Sequence, residues 1–181
     1  DDATPVLLDA DALNLLAAGE GGVPSDLGAA RDVVLTPHPG EMARLTGSEV
    51  GELKGRRPEA ALRLARELEA TVLLKGMPSL VATPNARLLV DTVGSSDLAV
   101  AGMGDVLSGV ISAFLAQGNL PDEAAALGLH TSGRSAARTG LGPSLTPEDV
   151  VEGMPGALTE EGEGESDLDM PFVLFDQDPA R

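Results

Sequence analysis

The chain has 181 residues, 29 of them acidic and 12 basic, and its formal net charge is −17. This charge argues against nucleic-acid binding and against an anionic membrane surface, because both partners require a basic face. The absence of Cys excludes disulfides, thiolate zinc sites and cysteine nucleophiles, and two His residues are too few for a His-rich metal site. The apolar content of 43% suffices for the core of one domain. No apolar run approaches the roughly 20 residues of a membrane span.

Short apolar runs alternate with helical patterns along the chain. Continuous apolar runs predict strands at 5–9, 33–36 and 71–75. Two further runs, at 79–83 and 88–91, flank Pro84-Asn85-Ala86 and predict a hairpin. The spacing of apolar residues predicts helices at 11–18, 41–47, 57–70, 105–117 and 121–138, and one more that Thr146-Pro147 opens.

This alternation predicts a layered α/β fold with a mainly parallel sheet. Ligands in such folds bind beyond the carboxyl ends of the strands. Four segments follow directly after predicted strands and are therefore candidates for a site: Asp9, 36–41, Lys75-Gly76 and 94–105. Asp11 and Asn14 are candidates to face the same cleft, although Asp11 also suits a helix N-cap.

Gly102-Met103-Gly104-Asp105 stands at the start of a predicted amphipathic helix. Glycine lets a ligand approach the backbone closely, and the free N–H groups of a helix N-terminus bind anions. A transferring phosphate needs such donors, and the Asp105 carboxylate can take the proton from an attacking hydroxyl. The same pattern also fits a tight turn in which Asp105 only caps the helix.

The loop around His38 and the strand end at Lys75 each have two interpretations. Pro37 and Pro39 stiffen the loop and direct the His38 imidazole toward the strand ends. His38 then contacts a substrate, or it bonds only to nearby backbone. Lys75 pairs with a phosphate, or it lies exposed before a turn. Because Trp and Tyr are absent and Phe114 falls on the core face of its helix, a bound ring must rest on aliphatic side chains, His38 or backbone.

Residues 159–181 differ in composition from the rest of the chain. They hold eight acids and one Arg, and so carry −7 of the net charge of −17. The run TEEGEGESDLDM predicts a solvated, mobile segment. We therefore predict a domain at 1–158 and an acidic, flexible tail at 159–181, with 172–175 as an alternative docking strand.

Four motifs occur in a fixed order: LLDADALN, LTPHPGE, LLKG and AGMGDVLSG. This series resembles the ADP/ATP-dependent NAD(P)H-hydrate dehydratases of the ribokinase-like superfamily over roughly residues 4–140. The resemblance implies a three-layer ribokinase-like fold and a lyase of metabolite repair that removes water from the 6S hydrate of NADH or NADPH. ADP or ATP would phosphorylate the hydrate hydroxyl with Mg²⁺ present, and phosphate would then be eliminated. It further implies a cytoplasmic enzyme, homo-oligomers in many members and a preceding epimerase domain in some.

The resemblance also implies roles for single residues. Asp105 would be the base, and the amides of Gly102, Met103 and Gly104 would form the anion hole. No residue is assigned as a protein metal ligand. The hydrate would contact Asp105 and the loop that comprises Thr36, Pro37, His38, Pro39, Gly40 and Glu41. The nucleotide would contact Lys75, Gly76, Met77, Pro78, Ser79, Ser95, Ser96 and Gly104.

Two features depart from the family pattern. The loop at 94–99 reads GSSDLA where the family commonly has GNPGLA, and Val100 and Met103 stand where Thr and a small residue are usual. The family also carries a glycine-rich segment ahead of the strand at 5–9. We therefore expect the chain to be the C-terminal part of a larger protein and to have an exposed sheet edge.

Two other functions share parts of this pattern. A ribokinase-like kinase of a small vitamin-type alcohol, such as hydroxymethylpyrimidine or hydroxyethylthiazole, uses the same G-x-G-D apparatus. A non-catalytic nucleotide-binding remnant would account for the altered loop. The TPHPGE run followed directly by a helix favours the dehydratase.

Overall fold

The computed structural model describes residues 4–19, 23–25, 27–159 and, for the backbone alone, 172–176. Its strands are β1 (Val6–Leu8), β2 (Val33–Leu35), β3 (Thr71–Leu74), β4 (Leu80–Ala82), β5 (Arg87–Asp91) and β6 (Phe172–Asp176). Its helices are α1 (Asp11–Ala18), α2 (Pro39–Thr46), α3 (Val50–Leu53), α4 (Arg57–Leu68), α5 (Met103–Ala116), α6 (Pro121–Thr139) and α7 (Pro147–Thr159). No helix in these ranges is long and apolar enough to cross a membrane.

The six strands form one mixed sheet in the order β1-β2-β3-β4-β5-β6. β1, β2 and β3 are parallel, with Leu7 opposite Val34 and Leu35 opposite Val72. The pairings from β3 to β6 are antiparallel, so the prediction of a mainly parallel sheet holds for the first three strands only. The reason is loop length: the short connections after β3 and β4 can join only antiparallel neighbours, whereas parallel strands need a long crossover.

Alternate side chains of the strands bury opposite faces of the sheet. Leu35, Val72 and Leu74 point to one face and pack in a core with α1, α2, α3 and α4. Val34, Leu73 and Val81 point to the other face and pack against α5 and α6. The sheet is therefore the middle of three layers, as the resemblance implies. Because β2 and β3 are buried on both faces, they appear in the sequence as continuous apolar runs.

The helix boundaries correct two expectations that concern the site. α5 begins at Met103 rather than at Asp105, because Gly102 takes the left-handed conformation (φ 87°) that starts the helix two residues earlier. Asp11 is the first helical residue of α1 and Ala10 is the N-cap, so Asp11 is no cap. The short helix α3 had no predicted counterpart.

Most of the acidic segment lies outside the described residues. Phe172–Asp176, however, is a strand that pairs with β5, with Phe172 opposite Asp91 and Asp176 opposite Arg87. This is the docking strand that stood as the alternative for 172–175. The division of the chain at 158 and 159 stays a prediction, with α7 extending to Thr159.

Candidate functional site

A cavity of about 640 Å³ lies where β1–β3 end and α5 begins. Ten of the residues predicted for the site line its wall: His38, Pro39, Lys75, Gly76, Met77, Ser79, Ser95, Ser96, Met103 and Gly104. The other predicted residues lie outside the wall: Thr36, Pro37, Gly40, Glu41, Pro78, Gly102 and Asp105. The loops predicted to bind hydrate and nucleotide thus meet at one cavity.

The first turn of α5 offers donors for an anion at the cavity. The Met103 N–H donates to the Val100 carbonyl (3.1 Å), and the Asp105 N–H donates to the Gly102 carbonyl (3.1 Å). The amides of Gly102 and Gly104 are therefore the better candidates for an anion hole. Asp105 is the third residue of the helix, and its side chain is exposed beside that turn rather than in the cavity wall.

Lys75 is held against the start of α5 by Asp9. Its Nζ donates to Asp9 Oδ1 (2.8 Å), while Ser108, one turn into α5, donates to Asp9 Oδ2 (2.9 Å). A Cβ on Gly104 would lie 3.7 Å from Lys75 Nζ and 3.6 Å from Asp9 Oδ2. Lys75 is only 23% exposed, so the alternative of an exposed strand-end lysine is wrong. An ammonium group thus stands beside the free amides of the helix N-terminus.

The electrostatics around Asp9 keep its carboxylate ionised. Burial raises the pKa of Asp9, but the hydrogen bond and charge of Lys75, with hydrogen bonds from Ser108 and Thr36, outweigh burial and leave the pKa below its ordinary value. The Asp9 carboxylate is therefore ionised at neutral pH and forms an ion pair with Lys75.

We expect Asp9→Asn to lower the free energy of unfolding of the full-length protein by about 1–2 kcal/mol at neutral pH, because a partly buried ion pair is broken. Because the folded pKa lies below the unfolded value of about 3.9, this stabilisation is complete above that value. It is lost as pH falls through the folded pKa. Denaturant melts across acidic pH should show the gap between the two proteins closing. A difference in the free energy of unfolding that does not change with pH would count against the ion pair. So would an equal difference for the exposed control Asp11→Asn.

The His38 loop is built by reciprocal capping of α2. His38 Nδ1 accepts from the N–H groups of Gly40 (2.9 Å) and Glu41 (3.3 Å), and Glu41 Oε2 accepts from the His38 N–H (2.8 Å). Glu41 is 5% exposed. The backbone-bonded interpretation of His38 is thus correct for Nδ1. The ring nevertheless lines the cavity, and its side chain is 50% exposed.

The remaining wall is apolar. Met77, Leu98, Val100, Leu107 and Leu129 contribute aliphatic surface. Among the described residues of the wall, the His38 ring is the only aromatic one. This agrees with the prediction that a bound ring would rest on aliphatic side chains or His38, and Phe114 packs against the core as predicted.

The chain also matches a known family over most of its length. The family model for NAD(P)H-hydrate dehydratase matches residues 1–153. The chain belongs to the NAD(P)H-hydrate dehydratase family. The resemblance carried by the four motifs is thereby confirmed, and so is the α/β fold that it implies.

Proteins of this family from several bacteria are similar to the chain. It is 41% identical over 157 residues to the bifunctional NAD(P)H-hydrate repair enzyme of Moorella thermoacetica, covering 85% of the chain and 29% of that enzyme. It is 42% identical over 132 residues to the ADP-dependent (S)-NAD(P)H-hydrate dehydratase of Neisseria meningitidis, covering 73% and 44%. The crystal structure of the ADP/ATP-dependent NAD(P)H-hydrate dehydratase of Bacillus subtilis, co-crystallised with ATP/Mg²⁺, superposes with a TM-score of 0.74 and 31% identity, covering 85% and 54%. The chain thus spans about half or less of each relative.

Sequence reasoning missed two side chains that organise the candidate site. Ser108 supports Asp9, and Asp91 shapes the loop after β5 by accepting from the N–H groups of Val93 (2.9 Å) and Gly94 (3.3 Å). Asp91 is 5% exposed and lines the cavity. Asp91 could have been found from the sequence, because it is a carboxylate at the end of an apolar strand and is followed by Gly94. Ser108 has no comparable signal, since its partner is 99 residues away.

Proposed function

We propose that the protein containing this chain dehydrates the 6S hydrate of NADH or NADPH in a nucleotide-dependent reaction. The observation that supports this most is the group at the start of α5. The Lys75 ammonium stands beside the Gly104 position, with Asp105 in the same helical turn. A positive charge, unpaired amides and a carboxylate are what a phosphoryl transfer to an alcohol requires.

The chemistry follows from the weakness of hydroxide as a leaving group. Asp105 takes the proton of the hydrate hydroxyl as its oxygen attacks the terminal phosphorus of ADP or ATP, and the bond from phosphorus to the nucleotide breaks. The amides of Gly102 and Gly104, with Lys75, stabilise the charge on the transferring phosphoryl oxygens. Cleavage of the carbon–oxygen bond then expels phosphate, and loss of a ring proton restores the double bond of NAD(P)H.

We assign the two ligands to different sides of the cavity, with the start of α5 between them. The side of His38 and Pro39 takes the hydrate. The side of Gly76, Met77, Ser79, Ser95 and Ser96 takes the nucleotide, with its adenine on the aliphatic wall. Ser95 Oγ accepts from the Asp97 N–H (3.2 Å), which orders the altered 94–99 loop into a 3₁₀ turn, Ser96–Leu98, so the loop keeps a defined shape.

Mg²⁺ fits this site as a companion of the nucleotide phosphates. Among the described residues, no three His, Asp or Glu side chains lie close enough to hold a metal ion by themselves. Mg²⁺ needs fewer, because it commonly binds through one or two carboxylates together with substrate phosphates and water. Asp9 is the carboxylate beside the helix N-terminus that would hold it, since its Oδ2 lies near the Gly104 position. When bound, the ion would neutralise phosphate charge that the acidic chain otherwise repels.

Three further properties are proposals for the whole protein. A relative is named as bifunctional, and this supports an epimerase domain elsewhere in the full-length protein. Family resemblance supports homo-oligomers, which light scattering would test. It also supports a cytoplasmic location, which cell fractionation would test.

A direct comparison of acceptors separates this function from the kinase. The full-length protein is given ADP or ATP, Mg²⁺ and either the NADH hydrate or a vitamin alcohol. We expect the dihydronicotinamide absorbance to return with the hydrate. Phosphorylation of hydroxymethylpyrimidine or hydroxyethylthiazole without that return would establish the kinase instead. Absence of nucleotide-dependent turnover with every acceptor would establish the non-catalytic remnant.

A further inference from the structure

Arg57 reaches from the start of α4 to the loop between β3 and β4. Its Nη2 donates to the carbonyls of Pro78 (2.8 Å) and Lys75 (3.3 Å), and its Nη1 donates to the carbonyl of Met77 (3.4 Å). One guanidinium therefore serves three carbonyl groups of a loop whose own residues form neither helix nor strand. The bond to the Lys75 carbonyl is partly buried, where an unpaired carbonyl is costly, and the bonds to Met77 and Pro78 are exposed to solvent.

Gly76 is shaped to receive this guanidinium. Its φ of 153° is a conformation that side chains disfavour, and a Cβ at this position would lie 2.3 Å from Arg57 Nη2 and 2.9 Å from Cζ. The Gly76 backbone therefore lies close to the guanidinium, in space that a side chain would occupy. Two separate features, the hydrogen bonds and the missing side chain, point to the same contact.

The loop that Arg57 holds forms one wall of the cavity. Lys75, Gly76, Met77 and Ser79 all line it. The Lys75 backbone is tied on both sides, because its N–H donates to the Pro37 carbonyl (2.8 Å) and its carbonyl accepts from Arg57. The orientation of the Lys75 side chain toward Asp9 therefore depends on the backbone contacts with Pro37 and with Arg57. Arg57 itself is absent from the wall.

We propose that Arg57 is a positioning residue for the nucleotide, which it serves by holding the loop at 75–79 in the shape that receives phosphate and base. This inference rests on the proposed function, since it takes the loop as the nucleotide side of the cavity. Arginine suits the role because its planar fork offers five donors in fixed geometry. A lysine ammonium carries its donors on one nitrogen, whereas these bonds come from two guanidinium nitrogens.

The test compares Arg57→Met, Arg57→Lys and Gly76→Ala in the full-length protein. We expect Arg57→Met to raise the nucleotide KM by about 10-fold, the equivalent of a single lost hydrogen bond from a charged donor. The KM for the NADH hydrate should stay within about 2-fold, since the His38 side of the cavity keeps its contacts. Arg57→Lys should recover less than half of the loss in binding energy. Gly76→Ala should also raise the nucleotide KM, because its methyl group would push the guanidinium of Arg57 away from the loop. This variant replaces Arg57→Met in the comparison if Arg57→Met does not fold.

Arg56→Met is the matched control, because Arg56 is the neighbouring arginine, is exposed and lies outside the cavity wall. It should leave the nucleotide KM at the wild-type value. Direct titration of ATP by calorimetry gives the same comparison without turnover, so a failure of the dehydratase assay in the wild type would leave this inference testable. An unchanged ATP affinity in Arg57→Met, or equal rises in the KM of both substrates, would overturn it.

Discussion

Asp105→Asn should lower the turnover of the full-length protein by about 10²–10⁴-fold, the usual contribution of a general base. The asparagine keeps the size of the side chain in the first turn of α5 and cannot accept the hydroxyl proton. The affinity for ATP should be nearly unchanged, because the cavity wall does not include Asp105. Steady-state kinetics with the NADH hydrate and ATP titration on the same preparation measure both quantities.

The control for this loss is Asp32→Asn, which removes the same charge from an exposed carboxylate next to the opposite end of β2. It should retain wild-type turnover. Wild-type turnover in Asp105→Asn would refute the role of base. A parallel loss of ATP affinity and turnover would make Asp105 a binding residue instead.

Lys75→Met should raise the nucleotide KM by about 10- to 100-fold, because a hydrogen bond from a charged donor to phosphate contributes about 1.5–3 kcal/mol. The turnover number should fall less, since we take Lys75 to contact the phosphate in the ground state and the transition state alike. Methionine retains most of the apolar stem of the lysine side chain. Initial rates at varied ATP and saturating hydrate give the two parameters separately.

The chain provides a clean control for Lys75, because Lys54 is its only other lysine. Lys54 is exposed and lies outside the cavity wall, so Lys54→Met should behave as the wild type. A large loss of turnover at unchanged nucleotide KM in Lys75→Met would show that the ammonium acts only in the transition state. Lys75→Met also leaves Asp9 without its cation, so a thermal melt must accompany the kinetics.

The strands and helices could largely be predicted from the sequence because each is encoded locally. The buried strands β2 and β3 are continuous apolar runs, and α4 is rich in strong helix formers. The pairing of the strands could not be predicted in the same way. β4 was expected to pair with β5 across Pro84-Asn85-Ala86, and it does, but it also pairs with β3 across a loop that showed no hairpin signal.

The position of the candidate site could be predicted from the sequence, but the contacts within it could not. The segments that follow strands were identified because parallel strands bring their carboxyl ends to one edge, and Lys75 and Gly104 indeed lie together. The contacts that organise them join residues far apart in sequence. Arg57 and Lys75 are separated by 18 positions, Asp9 and Lys75 by 66, and no local pattern marks such pairs. Secondary structure and motif order therefore predicted where the site lies but not which residues position it.

The ratio of phosphate released to NADH restored tests most directly whether the protein dehydrates the hydrate through phosphorylation. The full-length protein is mixed with the NADH hydrate, Mg²⁺ and ATP, and the NADH restored and the inorganic phosphate released are measured over the same time course. Phosphorylation followed by elimination predicts one phosphate for each NADH and no NADH without nucleotide. NADH restored without nucleotide, or phosphate transferred to an acceptor with no NADH restored, would contradict it.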